Sequence, residues 1–181
     1  MPNRTLLDFG CGAGGFLLKA RSLTKTAYGA ELESRLKSHF QEHNLTVFSK
    51  LSEIPVDKKY DIITLFHVLE HLPNPKSVLI ELSNLMADNG QLIIEVPNAD
   101  DGLLTLYHSE PFSHFTYWSC HLFLFTVKTL SMLVLQSGLK VNYIKLLQRY
   151  PLSNHLYWLA KGKPGGHMNW LFLDTPDLHD A

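Results

Sequence analysis

The order of hydrophobic and polar positions divides the chain into two kinds of segment that alternate. Short apolar runs with the length and flanking turn residues of buried strands occupy residues 5–9, 26–30, 45–48, 60–66 and 91–96. Segments whose apolar residues recur at helical spacing occupy residues 16–21, 32–43, 75–86 and 126–136. Strands that alternate with helices predict a mostly parallel, doubly wound α/β sheet with helices on both faces.

The pattern changes after the fifth apolar run. Aromatic residues crowd the next stretch, at Tyr107, Phe112, Phe115, Tyr117, Trp118, Phe123 and Phe125. Beyond the last helical segment we predict two more strands, near 140–147 and 155–160. The residues from 162 onward show no strong period. We therefore expect one domain over 1–161 and a C-terminal tail over 162–181.

Composition narrows the class of protein. The chain has 181 residues, is 45% hydrophobic and carries a formal net charge of −1, with its basic residues scattered. One core is expected, and nothing indicates a nucleic-acid partner. No apolar run approaches the roughly 20 residues of a membrane span, and no signal segment begins the chain. Two cysteines make no disulfide framework, so a cytoplasmic location is the expectation.

The most informative motif is the glycine-rich turn that follows the first predicted strand. Read as G-x-G-x-x-G from Gly10, with Glu31 further on, it fits a dinucleotide site. Read as D-x-G-x-G-x-G from Asp8, it fits a turn that holds S-adenosylmethionine. A carboxylate at Asp8 would repel a pyrophosphate but attract a sulfonium and an ammonium group, which favours the second interpretation. Asp8 could alternatively serve only to hold the loop.

Further motifs give a family resemblance over roughly residues 4–160. They are residues 6–14, Glu31, residues 60–63, 67–72 and 90–94, and, further on, 121–123, 129–130 and 138–139. Together they resemble class I S-adenosylmethionine-dependent methyltransferases. The resemblance implies a Rossmann-like, three-layer α/β/α fold with seven mostly parallel strands, one of them reversed near the C-terminus. Residues 149–167 also resemble a branch that modifies sugars and polysaccharides. Many relatives begin with lid helices that we expect this chain to lack.

The resemblance assigns the cofactor site. Glycines of the turn would pass under the methionine part of S-adenosylmethionine, and Glu31 would accept hydrogen bonds from both ribose hydroxyls. Leu51 and Ser52 would lie beside the adenine, where many relatives carry an aspartate that Glu53 could replace. The full predicted set is Asp8, Gly10, Cys11, Gly12, Gly14, Phe16, Glu31, Leu32, Leu51, Ser52, Phe66 and His67. Glu31 could alternatively be a solvated helix cap.

The H-x-x-E-H sequence at 67–71 allows three interpretations. It matches an inverted zinc-peptidase motif, which needs both histidines on one continuous helix. Ubiquinone-pathway O-methyltransferases resemble it but carry E-x-x-E-H, which holds Mg²⁺. Here His67 replaces the first acid, and its nitrogen suits Mg²⁺ poorly, so we predict no metal. Glu70 and His71 could instead form a buried pair that fixes the loop.

The predicted reaction is in-line methyl transfer to a small-molecule or glycan acceptor, with O-methylation favoured. A hydroxyl acceptor needs a base, and histidine suits that role near neutral pH. The candidate bases are His67, His71, His114 and His121, all expected at the same edge of the sheet. Two rival functions remain open, a non-catalytic cofactor-binding module and an NAD-dependent oxidoreductase. A homodimer also remains open.

Overall fold

The core of the protein is a five-stranded parallel sheet. The computed structural model describes residues 3–55, 57–118 and 120–174. The strands are β1 (Thr5–Phe9), β2 (Thr26–Ala30), β3 (Val47–Phe48), β4 (Tyr60–Phe66) and β5 (Met86–Glu95). Their order is β3-β2-β1-β4-β5, and each neighbouring pair is parallel. The strand order reverses direction between β1 and β4, which is where doubly wound sheets bind their ligands.

The central strands are buried because both of their faces are covered. Leu7 and Ile63 have no exposed surface, and Leu6 is 3% exposed. Leu17 of α1 and Phe40 of α2 pack with Leu6 in one apolar cluster. This packing explains why β1 and β4 read as nearly continuous apolar runs in the sequence.

Eight α-helices lie within the described residues. They are α1 (Gly15–Ala20), α2 (Lys37–Glu42), α3 (Pro75–Asn84), α4 (Gly102–Thr105), α5 (Glu110–Thr116), α6 (Val127–Gln136), α7 (Leu152–Lys161) and α8 (Gly166–Asn169). The predicted helix over 32–43 is shorter than expected, because a 3₁₀ turn over Ser34–Leu36 precedes α2. The predicted helix over 75–86 ends at Asn84, and β5 begins two residues later.

The described residues fall into two compact units. The first comprises residues 3–97 and 131–140, apart from residue 56, and holds the whole sheet. The second comprises residues 98–130, apart from residue 119, and 141–174, and it is helical. The predicted boundary at 161/162 stays a prediction, and residues 175–181 of the predicted tail lie outside the described residues.

The prediction of strands after α6 was wrong. Among the described residues, 140–149 form no strand, and nearly every side chain from 142 to 150 is exposed. Residues 155–160 lie within α7, whose apolar positions Leu152, Leu156 and Leu159 recur at helical spacing. Pro151 precedes this helix, and Gly162 ends it in the left-handed conformation. Five strands rather than seven are therefore present in the described part of the chain, and all five are parallel.

Candidate functional site

The glycine-rich turn lies at the carboxyl end of β1 and leads into α1. Gly10, Gly12 and Gly14 all have positive φ angles, of 76°, 51° and 79°. The backbone N–H of Gly10 donates to the carbonyl oxygen of Ala30 at the end of β2, at 2.8 Å. Only glycine adopts such a run of left-handed positions without strain, so the sequence fixes this turn.

The glycines differ in what surrounds them. A Cβ added at Gly10 would collide with the side chain of Val68, and one at Gly14 would lie 2.5 Å from Cδ1 of Leu45. A Cβ at Gly12 would meet nothing within 4 Å. Packing therefore explains Gly10 and Gly14, whereas the space over Gly12 is open for a ligand to approach the backbone. The turn thus fits the predicted cofactor.

Asp8 is buried beside the turn, with 3% of its surface exposed. The hydroxyl of Thr64 on β4 donates to its Oδ1 at 2.7 Å. Burial raises the pKa of Asp8 above its usual range, the Thr64 hydrogen bond partly opposes this, and the nearby carboxylate of Glu31 raises the pKa further. A cationic ligand would relieve this unfavourable concentration of negative charge.

Glu31 joins the ends of two strands through its side chain. Its Oε2 accepts a hydrogen bond from the N–H of Gly12 at 2.8 Å, and its Oε1 accepts one from the N–H of Glu33 at 3.0 Å. A cavity of about 200 Å³ opens beside this carboxylate, and Phe40, Val47 and Ser49 contribute to its lining. Glu31 is therefore held at the turn rather than solvated as a simple helix cap.

Cys11 packs inside the turn. Its thiol is buried, and burial together with the Asp8 and Glu31 carboxylates raises its pKa to about 12. A Cβ at Gly29 of β2 would lie 2.7 Å from the Cys11 sulfur. The thiol therefore stays protonated at neutral pH and fills space between β1 and β2, so only its backbone is suited to the cofactor role predicted for it.

Several residues that are predicted to contact the cofactor lie on the first unit, which also holds the glycine-rich turn. Phe16 at the start of α1 and Phe66 at the end of β4 make an edge-to-face pair with ring centroids 5.1 Å apart. Leu32 is 79% exposed directly after Glu31. Leu51 and Ser52 lie in a 3₁₀ turn over Leu51–Glu53. Glu53, the predicted substitute for an adenine-binding aspartate, accepts a hydrogen bond from the N–H of Ser49 at 2.9 Å.

His67 lies between two carboxylates in a strained backbone conformation. Its φ is 56°, a left-handed value that side chains rarely adopt, and it directly follows β4. Its Nε2 lies 3.0 Å from Oε1 of Glu95, and its Nδ1 lies 3.4 Å from Oε1 of Glu70. Of these two contacts only the one with Glu95 is a hydrogen bond, because neither carboxylate oxygen of Glu70 has a hydrogen-bond partner among the described residues.

The carboxylate of Glu70 is buried in the loop, and neither of its oxygens has a hydrogen-bond partner in the described part of the chain. Its side chain is 1% exposed, and its carboxylate also lies 4.0 Å from Nε2 of His71. Leu69–His71 forms one 3₁₀ turn, so the two histidines do not share a continuous helix, which contradicts the peptidase interpretation. Mg²⁺ prefers six oxygen ligands, and His67 already faces the Glu70 carboxylate. The residues 67–71 do not fit that ion.

The other two candidate bases belong to the second unit. His114 lies on α5 with its side chain 78% exposed, 4.0 Å from Glu110. The Nδ1 of His121 lies 2.7 Å from the carbonyl oxygen of Thr116, and its ring meets Trp118 edge to face. His67 and His71 thus belong to the first unit, and His114 and His121 belong to the second.

Two residues of the site were missed by sequence reasoning. Thr64 bonds Asp8, and Glu95 bonds His67. Both contacts follow from strand register, because Asp8 pairs with Thr64 across β1 and β4, and Phe66 pairs with Glu95 across β4 and β5. The usable signal was the position of Glu95 at the carboxyl end of the fifth predicted strand.

The fold and the turn define a Rossmann-like protein whose ligand site favours positive charge. The chain belongs to the methyltransferase domain family, which it matches over residues 2–144. This match confirms the predicted class, the S-adenosylmethionine-dependent methyltransferases, and with it S-adenosylmethionine as the cofactor. It also favours that class over the dinucleotide-binding alternative.

Relatives agree with this assignment. The chain is 32% identical over 109 residues to the ubiquinone biosynthesis O-methyltransferase of Glaesserella parasuis, an alignment that covers 52% of the chain and 46% of the relative. It is 24% identical over 188 residues to the enzyme of that name from Hydrogenovibrio crunogenus, covering 90% of the chain and 77% of the relative. The chain thus spans less than half of the first relative's length.

A solved structure shares the fold. A protein from Nostoc punctiforme, assigned as an O-methyltransferase, superposes with a TM-score of 0.65 at 16% identity, covering 83% of this chain and 49% of that one. Identity this low supports the fold alone. Within the described residues, no helix is both long and apolar enough to cross a bilayer.

Proposed function

We propose that the protein transfers the methyl group of S-adenosylmethionine to a hydroxyl of a small-molecule acceptor. The observation that carries this proposal is the pair of carboxylates at an open glycine turn. Asp8 is buried and Glu31 contacts Gly12 directly, so the turn favours a sulfonium and an ammonium over a pyrophosphate. The names of the two aligned relatives, both O-methyltransferases, support a hydroxyl acceptor.

The residues take separate roles in this proposal. Gly12 admits the methionine part of the cofactor against the backbone, and Glu31 binds the ribose. Phe16 and Phe66 exclude water beside the transferred methyl group. The cofactor supplies a methyl group on a good leaving group, so the acceptor oxygen forms a bond to carbon as the carbon–sulfur bond breaks.

The acceptor hydroxyl must lose its proton in this step. We assign His71 as the base, because its side chain is partly exposed and its Nε2 lies 4.0 Å from the buried Glu70 carboxylate. His67 acts as a positioning residue, held by its hydrogen bond to Glu95. His114 and His121 remain the alternative bases on the second unit. A sugar or glycan acceptor is the alternative substrate class.

Calorimetry with S-adenosylhomocysteine tests the cofactor site. Glu31→Gln should weaken binding by about 1–3 kcal/mol, roughly 5- to 150-fold, because a charge-assisted hydrogen bond to the ribose is lost. Glu81→Gln is the matched control, since Glu81 is an exposed carboxylate on α3, and it should bind as the wild type does. Equal affinity of the Glu31 variant and the wild type would contradict the ribose assignment.

A methyl-transfer assay distinguishes the proposed enzyme from the two alternative functions, a non-catalytic module and an NAD-dependent oxidoreductase. Wild-type protein with radiolabelled S-adenosylmethionine should methylate members of a panel of phenols, catechols and sugars. Binding of S-adenosylhomocysteine with no transfer to any of them would favour the non-catalytic module. Binding of NAD without S-adenosylhomocysteine would overturn the methyltransferase proposal.

A further inference from the structure

A second H-x-x-E-H sequence, at 39–43, lies away from the loop at 67–71. Here the geometry differs, because His39 and Glu42 belong to α2 and His43 is the residue that ends it. The spacing i, i+3, i+4 places the three side chains on one helical face. One ligand atom from each lies within 4.8 Å of the other two, and the two imidazole centroids are 4.2 Å apart.

Hydrogen bonds to backbone carbonyls fix the tautomers of both histidines. The Nε2 of His39 lies 3.0 Å from the carbonyl oxygen of Ala13, and the Nδ1 of His43 lies 3.0 Å from that of His39. A carbonyl oxygen can only accept, so each of these nitrogens carries the hydrogen. The lone pairs are therefore on Nδ1 of His39 and Nε2 of His43. Histidines that bind metals are oriented in this way by their second nitrogen.

The donor set selects the class of ion. Two imidazole nitrogens and one carboxylate suit Zn²⁺ and its neighbours Co²⁺ and Ni²⁺, whereas Mg²⁺ and Ca²⁺ prefer oxygen. Three protein ligands leave a fourth tetrahedral position for water. Glu42 is exposed and both histidines are partly exposed, so a hydrated ion can reach them.

We propose that His39, Glu42 and His43 bind a divalent transition-metal ion, with Zn²⁺ the best fit, and that this ion stabilises the glycine-rich turn. The connection is direct, because His39 donates to Ala13 within that turn. Arg21, the residue that ends α1, donates to the carbonyl oxygen of His43 at 2.9 Å, so the end of α2 is also bonded to the end of α1. Metal binding itself does not depend on the proposed methyltransferase function, whereas an effect on the cofactor does.

Calorimetric titration with Zn²⁺ alone tests the site. His43→Ala is the variant of choice, because it removes one ligand and keeps the hydrogen bond between His39 and Ala13. We expect the wild type to bind one equivalent that this variant binds at least about 10-fold more weakly, with Glu42→Gln also weakened. His155→Ala, on α7, and His71→Ala, beside Glu70, should each retain that equivalent. Equal Zn²⁺ affinity of the wild type and His43→Ala would overturn the proposal.

The position of the ion has an independent readout. In nuclear magnetic resonance spectra, Zn²⁺ should shift the backbone amides of Ala13 and Gly14 in the wild type but not in His43→Ala. Unshifted turn amides in metal-loaded wild type would overturn the link to the turn. If Zn²⁺ binds while S-adenosylhomocysteine does not, the proposed function fails and the metal site stands. If S-adenosylhomocysteine binds while Zn²⁺ does not, the metal site fails.

Discussion

At the scale of single residues, the buried carboxylate of Asp8 lowers the free energy of unfolding and is suited to bind a cationic ligand. It lies on β1, and its partner on β4 is the neutral hydroxyl of Thr64 rather than a cation. Glu31 adds a second negative charge nearby. Two neighbouring carboxylates with no cation between them are unfavourable for folding, whereas the same two charges favour the binding of a cation.

This residue makes stability depend on pH in a defined direction. Because the pKa of Asp8 is raised above its ordinary value of 3.8, the folded protein holds this proton more tightly than the unfolded chain. The resulting stabilisation is complete at pH below 3.8 and is lost as the pH rises through the folded pKa. We expect Asp8→Asn to be more stable than the wild type at pH 7, with a difference that shrinks toward pH 4, by urea unfolding.

Asp61 provides a control, because its effect on the pH dependence of stability has the opposite sign. The pKa of Asp61 is lowered by the backbone N–H and hydroxyl of Thr5, which donate to its Oδ2 at 2.8 and 2.9 Å. Its contribution is present above the unfolded pKa and is lost as the pH falls. Asp61→Asn should therefore be less stable than the wild type at pH 7. A wild type more stable than Asp8→Asn at pH 7 would contradict the account of Asp8.

At the scale of elements, Gly10 and Gly12 of the glycine-rich turn are expected to have different roles, Gly10 in packing and Gly12 in ligand binding. Gly10 and Gly12 both have positive φ, so alanine is strained at either position. At Gly10 the new Cβ also collides with Val68, whereas at Gly12 it points into open space. Two substitutions of the same kind should therefore affect different properties.

We expect Gly10→Ala to lower the free energy of unfolding by more than about 1 kcal/mol beyond the loss in Gly12→Ala. Gly12→Ala should instead abolish most binding of S-adenosylhomocysteine, because the Cβ occupies the space of the ligand. Thermal unfolding and calorimetry on both variants make the comparison. Normal ligand affinity in Gly12→Ala would remove the turn from the binding site.

The elements also show what the sequence could predict. β1, β2 and β4 have the predicted bounds, because apolar runs between turn residues leave few alternatives. β5 begins earlier than predicted, since Asn89-Gly90 resembles a helix stop but lies inside the strand. Residues 155–160 were predicted as a strand but belong to α7, which buries Ser153, Asn154 and Trp158 and leaves Leu152 and Leu159 exposed.

The sequence predicted those site residues that lie close together in the chain, and it did not predict those that the fold brings together. Asp8 and the glycines sit at fixed spacing in one turn, so the motif is visible without the fold. The contacts of Thr64 and Glu95 depend on how strands align, which no local spacing encodes. The proposed metal site on α2 has a local spacing, but the backbone carbonyl of Ala13 that orients His39 lies 26 residues away in the chain.

At the scale of the whole molecule, the second unit has a polar core of its own. Asn154 on α7 is 2% exposed, and its side-chain oxygen accepts hydrogen bonds from the N–H groups of Gly165 and Gly166 at 2.9 and 3.2 Å. A Cβ at Gly166 would collide with the backbone of Ser153. The residues that follow α7 therefore pack against it as part of one unit.

Removing this acceptor should loosen α8 from α7. Asn154→Ala leaves two buried N–H groups unpaired, at a cost of about 1–3 kcal/mol. Hydrogen exchange at the amides of Gly165 and Gly166 should accelerate accordingly. Asn154→Asp retains an acceptor oxygen and is the control that keeps protection. Unchanged exchange in Asn154→Ala would show that this side chain does not hold the unit together.

The contact between Val68 and Gly10 has an evolutionary consequence. Val68 lies three residues before the proposed base His71, and it fills the space that a side chain at Gly10 would need. A mutation that enlarges residue 68 to admit a new acceptor would therefore press on the turn that holds the methyl donor. Substrate range can diversify more easily at positions after His71, while position 68 is restricted to side chains that leave the donor turn in place.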